Sequence, residues 1–172
     1  MDPASELVDV VDEDDRVIEI VTRRDVRARS LLHRCTYILV RNGSGEILVH
    51  RRTETKDVYP GAYDVFAGGV CAAGESYDTC ARREVAEELG IVGADLTFLF
   101  RHRYRGPKGQ AWGAVYEARW DGPVHHQESE VAWSAWVAPE RLPQMLEELL
   151  FCPDSREIFE RLARRGTREN AV

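Results

Sequence analysis

Several absences in the sequence each remove a class of protein. No apolar run in its 172 residues approaches the roughly 18 needed to cross a bilayer, so no membrane span is expected. No positively charged start followed by an apolar stretch marks a secretory signal, and a cytoplasmic protein is expected. The cysteines Cys35, Cys71, Cys80 and Cys152 form no CxxC pair. That spacing fits reduced thiols better than a disulfide framework or a zinc site. There is no internal repeat, low-complexity tract or clear linker, and the length suits one domain over residues 1–172. Positive charge is in deficit, with 23 Lys and Arg against 30 Asp and Glu, a net charge of −7. An acidic surface repels phosphate backbones, which argues against nucleic-acid binding. It leaves room for a small phosphorylated ligand, which needs only a local cationic pocket or a metal.

What remains is an ordinary globular composition with enough apolar residues for a core. Residues 1–5 read as a loose tail. Leu7 to Val11 and Arg16 to Thr22 flank Glu13-Asp14-Asp15 and read as a hairpin, the core of an N-terminal extension over residues 1–30. A short helical piece over Asp25 to Ser30 follows. Cys35 to Val40 and Glu46 to Arg51 surround Asn42-Gly43-Ser44-Gly45, a second and stronger hairpin signal. Residues 53–64, with Pro60 and Gly61, read as loop. Ser76 to Leu89 reads as a helix with Ser76 as N-cap, Asp78 in the favourable first turn and Gly90 as the stop. Leu96 to Tyr104, Trp112 to Trp120 and Val131 to Val137 read as strands, and Pro139 to Leu150 and Ser155 to Arg165 as helices. The mixture lacks a regular βαβ alternation, so the expected class is α/β, a mixed sheet with helices packed on it.

The informative segment is GVCAAGESYDTCARREVAEELGI, Gly69 to Ile91. At about 100° per residue, Glu84, Glu87 and Glu88 share one helix face, and Ala81, Val85 and Leu89 occupy the neighbouring arc. Like charges at i,i+4, as in Glu84 and Glu88, destabilise a helix by roughly 0.2–0.5 kcal/mol. A cation held between them offsets that cost, and full-charge oxygen ligands suit Mg²⁺ or Mn²⁺. Three glutamates facing a pocket are suited to holding a diphosphate through such ions. Taken alone, a Glu-rich turn is an ordinary solvated face. The full pattern is not ordinary: its fixed residue types and two aliphatic positions coincide by chance about once in 10⁹ windows.

The segment matches the Nudix box at every position, Gly69, Glu75, Arg83, Glu84, Glu87, Glu88 and Gly90, with Val85 and Ile91 at the aliphatic sites. The chain therefore resembles a Nudix hydrolase. That resemblance implies an α/β/α sandwich and metal-dependent hydrolysis of a nucleoside diphosphate derivative. It implies Glu84 and Glu88 as the main metal ligands and Glu87 as a further one. Arg83 then holds the carboxylates, Glu75 supports it, and the Gly69 carbonyl lies at the metal. Residues from Asp9 to Val70 resemble the isopentenyl-diphosphate-isomerase-like branch. True isomerases carry a Cys before the box glycine and a His after it; here those positions are Gly68 and Val70, so the proton-transfer route lacks its parts.

Hydrolysis needs a base for water, and Glu128 and Glu130 precede the Val131 strand where Nudix proteins often supply one. Arg51, Arg52 and Lys56 form a basic cluster expected at the substrate phosphates. Tyr59 and Tyr63 either stack on a base or pack. His125-His126, pointing to opposite faces if extended, is a weak metal signal. The expected partner is a small-molecule diphosphate, and a homodimer fits the resemblance. A non-catalytic nucleotide-sensing module is the alternative from another class.

Overall fold

The computed structural model describes residues 3–169. Residues 1–2 of the expected loose tail lie outside them, and Pro3–Ser5 forms a single 3-10 turn. The strands are β1 (Leu7–Val11), β2 (Val17–Thr22), β3 (His33–Arg41), β4 (Ile47–Arg52), β5 (Tyr63–Asp64), β6 (Asp95–Gly106), β7 (Gly109–Arg119) and β8 (Val131–Val137). The α-helices are α1 (Arg23–Arg29), α2 (Tyr77–Leu89), α3 (Leu142–Glu148) and α4 (Pro153–Glu169). The helix expected over 139–150 begins as a separate 3-10 turn, Pro139–Arg141, and β5 lies inside the segment read as loop.

The N-terminal hairpin forms as expected: β1 and β2 pair antiparallel from Leu7↔Thr22 to Val11↔Val17. The second expected hairpin opens. β3 and β4 meet only at Arg41↔Ile47, beside the turn that joins them. Beyond it β3 runs parallel to β7 along His33↔Ala111 to Arg41↔Arg119, while β4 runs antiparallel to β8. The edge of β3 that β4 vacates is filled by residues 67–71. Ala67 and Ile38 exchange both backbone hydrogen bonds, at 2.7 and 3.0 Å, and Thr36 N–H donates to the Gly69 carbonyl at 2.9 Å. Every strand edge must find partners, and here the glycine-rich segment supplies them. It is thereby fixed beside the central strand.

The pleat of β3 separates two core layers. Tyr37 and Leu39 pack with Leu142, Leu146 and Ile158 of α3 and α4. Ile38 and Val40 pack with Ala81, Val85 and Leu89 of α2. The result is the expected α/β/α sandwich around a mixed eight-stranded sheet. A third, small cluster, Val8, Val10 and Val26, ties α1 to the N-terminal hairpin. Among the described residues no helix is long and apolar enough to cross a membrane.

Candidate active site

Helix α2 forms as its sequence demands. The Ser76 hydroxyl accepts the Thr79 N–H, and Gly90 ends the helix in the left-handed region at φ 65°. While Ala81, Val85 and Leu89 enter the core, the adjacent face carries the carboxylates. Glu84 and Glu88 are buried at 9% and 8% exposure, whereas the Glu87 side chain is 56% exposed. Two buried carboxylates one turn apart are costly without compensation. Burial pushes the Glu88 carboxyl up to about 7; the Gly68 N–H, donating to Oε2 at 3.0 Å, opposes the rise and Glu84 adds to it. Burial also raises Glu84, against the pull of Arg83.

Arg83 organises the cluster. Its Nε and Nη2 donate to the two Glu75 oxygens at 2.9 and 2.8 Å, and its Nη1 donates to Glu84 at 2.8 Å and Glu87 at 3.2 Å. A planar fork of this kind serves several carboxylates at once, which a lysine ammonium cannot do with the same geometry. Glu75 is part-buried, yet the Arg83 fork and the Ala72 N–H hold it below the ordinary carboxylate range. Glu75, expected to support Arg83, is in direct contact with it.

The glycines are steric necessities. A Cβ on Gly69 would lie 2.7 Å from Glu84 Oε1, and one on Gly68, at φ +145°, would lie 2.0 Å from the Thr36 carbonyl oxygen. The Gly69 carbonyl, expected at the metal, accepts the Thr36 N–H at 2.9 Å and the Cys80 thiol at 3.9 Å.

Gly68, Gly69, Arg83, Glu84, Glu87 and Glu88 line a cavity of about 660 Å³ together with Arg52, Lys56 and Glu130. Lys56 and Glu130 form an ion pair across it. Burial pushes the Lys56 ammonium down to about 8, with Arg52 adding to the drop and Glu88 opposing it. Arg51 is a correction. As β4 neighbours, Arg51 and Arg52 point to opposite faces; Arg51 donates to the Gly61 carbonyl at 3.0 Å and pairs with Glu54, outside the cavity lining. Glu128 and His125-His126 are also outside the lining, and the His126 ring meets Ser134 at 3.3 Å. Tyr63 packs against Trp133 and Phe151, whereas Tyr59 lines the cavity.

Sequence reasoning missed Arg23 and Arg27, which reach the same cavity from α1. Arg23 pairs with Glu6 at 3.2 Å and its buried Nε has no hydrogen-bond partner; Arg27 pairs with Asp57. Their i,i+4 spacing was readable, but not that α1, docked on the N-terminal hairpin, would turn them toward the cavity of the glutamate helix. Tyr104 and Lys108, from β6 and the turn after it, were missed for the same reason.

Among the described residues no three acidic, His or Cys side chains already converge on one point, because Arg83 and the Gly68 N–H hold the carboxylates. The residues nevertheless fit a hard divalent cation. The potential donors are all oxygens, two are on buried carboxylates short of positive charge, and Gly69 leaves open the space against Glu84 that a side chain would fill.

Comparisons agree with this geometry. The NUDIX domain family model matches residues 31–162. An uncharacterised Nudix hydrolase of Streptomyces coelicolor is 46% identical over 164 residues, covering 94% of this chain and 91% of its own. The uncharacterised Nudix hydrolase YfcD of Escherichia coli K12 is 40% identical over 169 residues, covering 98% and 93%. Among solved structures, DR0079 of Deinococcus radiodurans superposes with a TM-score of 0.79 at 28% identity, covering 91% of this chain and 98% of its own. The Nudix domain of Shewanella oneidensis NrtR, solved with ADP ribose, shares the fold at TM-score 0.63 and 16% identity, over 77% of this chain and 86% of its own. The chain belongs to the Nudix family. It is a hydrolase acting on pyrophosphate bonds.

Proposed function

We propose that the chain acts as one domain that uses Mg²⁺, or Mn²⁺ in its place, to cleave a nucleoside diphosphate derivative or a related small organic diphosphate. The observation that carries this reading is the pair of buried carboxylates, Glu84 and Glu88, set in a cavity that also presents Arg52 and Lys56. Glu84, Glu88 and Glu87 would hold the ion, with the Gly69 carbonyl as a further donor in place of its weak contact with the Cys80 thiol. When bound, the ion polarises the diphosphate and makes water more acidic. Arg83 fixes the carboxylates for that task. Arg52 and Lys56 bind the phosphate oxygens, neutralising the charge that grows as the P–O bond breaks. Glu130 accepts the proton of the attacking water once substrate draws Lys56 away from it.

The isomerase reading is disfavoured by the space around the glycines. A thiol at position 68 would need a Cβ 2.0 Å from a backbone oxygen. The resemblance to the isomerase-like branch therefore concerns the scaffold rather than the reaction. A nucleotide sensor would need no complete carboxylate set. The exposed Ile18 and Ile20 of edge strand β2 support a homodimer, testable by light scattering. A cytoplasmic setting agrees with the free thiols.

The test is a Mg²⁺-dependent screen of ADP-ribose, nucleotide sugars, dinucleotides, coenzyme A, nucleoside di- and triphosphates and isopentenyl diphosphate, with Glu88→Gln as control. Cleavage of one class that vanishes in the control supports the enzyme. Binding without turnover in the parent protein supports the sensor, and a double-bond shift without phosphate release revives the isomerase.

A further inference from the structure

The cavity is larger than a diphosphate, and the wall contributed by the 53–61 loop and the β6–β7 turn has a chemistry of its own. Tyr59 precedes Pro60 yet lies in the left-handed region at φ 51°. A residue before proline is normally extended, and a non-glycine residue with this φ is strained. Strain of this kind collects where a side chain must be presented to a ligand. The Tyr59 hydroxyl is buried beside that of Tyr104, and neither meets a hydrogen-bond partner beyond the other. Gly106 makes the Tyr104 position possible, since a Cβ there would lie 2.0 Å from the hydroxyl oxygen. Above the Tyr59 ring, 5.0 Å from its centroid, sits the Lys108 ammonium. Lys108 makes no ion pair among the described residues. Burial raises both phenols above their ordinary value, so both keep the protons they donate.

Two carboxyls stand near this wall: Asp57 of the loop, which pairs with Arg27, and Asp154, which accepts the Tyr37 hydroxyl at 3.0 Å and which burial raises. Gln110 is occupied by the Ser30 carbonyl at 2.9 Å. What remains is a pair of phenols that can direct one O–H outward, and one ammonium. An O–H donor and an ammonium without a committed acceptor match an oxyanion.

We infer that Tyr59, Tyr104 and Lys108 form a subsite for a second anionic group, a phosphate monoester or a carboxylate, on the organic part of the substrate. The inference rests on the proposed hydrolysis and narrows its substrate class to diphosphates that carry a further negative charge. Lys108 is exposed on a flexible stem and swings from the Tyr59 ring to meet the anion, uncovering the phenols.

The experiment uses the full chain and substrate pairs that differ by one anionic group. NADP⁺ against NAD⁺ and coenzyme A against dephospho-coenzyme A test a phosphate; UDP-glucuronate against UDP-glucose tests a carboxylate. Mg²⁺-dependent kcat/KM is measured for each pair, and calorimetric binding is measured in parallel on the Glu88→Gln protein. In at least one pair the anionic member is favoured by about tenfold, the usual effect of one charge-assisted contact. Lys108→Met, and separately the Tyr59→Phe/Tyr104→Phe double variant, erase that preference through KM and Kd with the melting temperature retained. Equal handling of both members in every pair, or a preference that survives both variants, overturns the subsite. A binding preference without turnover upholds the subsite and removes the hydrolytic reading. Turnover without a preference does the reverse.

Discussion

The adjacent glycines 68 and 69 offer a sharp test, because the same substitution should fail in two different ways. In Gly69→Ala the new Cβ would meet the Glu84 carboxylate at 2.7–2.8 Å, and no left-handed φ adds backbone strain. The carboxylate is the end of a side chain, so it yields by several tenths of an ångström and the fold survives. Its 2.8 Å hydrogen bond to Arg83 and its place in the cavity are lost. Misplacing a reacting group by about 1 Å costs on the order of a hundredfold in rate. Gly69→Ala should therefore lower kcat/KM by about tenfold to a hundredfold and weaken Mg²⁺ binding, while the melting temperature moves only slightly. In Gly68→Ala the Cβ would meet the Thr36 carbonyl oxygen at 2.0 Å, from a φ of +145°. Backbone cannot yield that far without breaking the contact between β3 and residues 67–71. A loss of roughly 3 kcal/mol is expected, about 6–12 °C in Tm for a chain of this length. Thermal melts, calorimetric Mg²⁺ titration and kcat/KM on the best substrate of the screen read all three effects. A Gly69→Ala protein with parental activity, or a Gly68→Ala protein with parental Tm, would refute the steric argument.

Further outcomes follow from the same geometry. Glu88→Gln keeps an acceptor for the Gly68 N–H but removes a charge that burial disfavours. At pH 8 and without metal its Tm should equal or exceed that of the parent, and Mg²⁺ should raise the Tm of the parent alone; chelation by EDTA should cancel that rise. Arg83→Lys loses the fork that holds Glu75, Glu84 and Glu87, and kcat/KM should drop by about a hundredfold with circular dichroism unchanged. Arg23→Gln should raise KM more than it lowers kcat, whereas Arg51→Gln, outside the cavity, should leave both near parental values. His50 is buried with its Nδ1 unpartnered, and burial first, then Arg52 and Lys56, depress it from 6.5 to about 3. The unfolded chain thus binds the proton first as pH falls below 6.5, so stability declines from there toward pH 3, by roughly 2 kcal/mol at pH 5. Urea unfolding of parent and His50→Leu should diverge in that window; parallel pH curves would exclude the residue as the cause.

Local signals made much of this protein legible in its sequence. Ser76 and Gly90 bracket α2 because a cap hydroxyl and a left-handed stop act within a few residues of themselves. The face shared by Glu84, Glu87 and Glu88 follows from helical period alone, and the N-terminal hairpin from the alternation around Glu13-Asp14-Asp15. The Arg83 to Glu75 contact joins residues eight apart in sequence, inside the recognised segment. Other features depended on partners distant in the chain. Asn42-Gly43-Ser44-Gly45 does turn the chain, but which segments pair beyond it depended on competition for one edge of β3, and residues 67–71 took the places that a hairpin would have filled. The turn supplies only the first pair, and β4 then pairs with β8 from Ile47↔Val137 to Arg52↔Val131. Arg51 and Arg52 look equivalent in sequence until β4 acquires a face toward the cavity and a face away from it. Arg23, Tyr104 and Lys108 carry no local mark of function, because a side chain becomes part of a site only when separate elements pack together. The chemistry of the glutamate helix was thus written in short-range pattern, whereas the shape of the cavity, and with it the choice of substrate, arises from long-range packing.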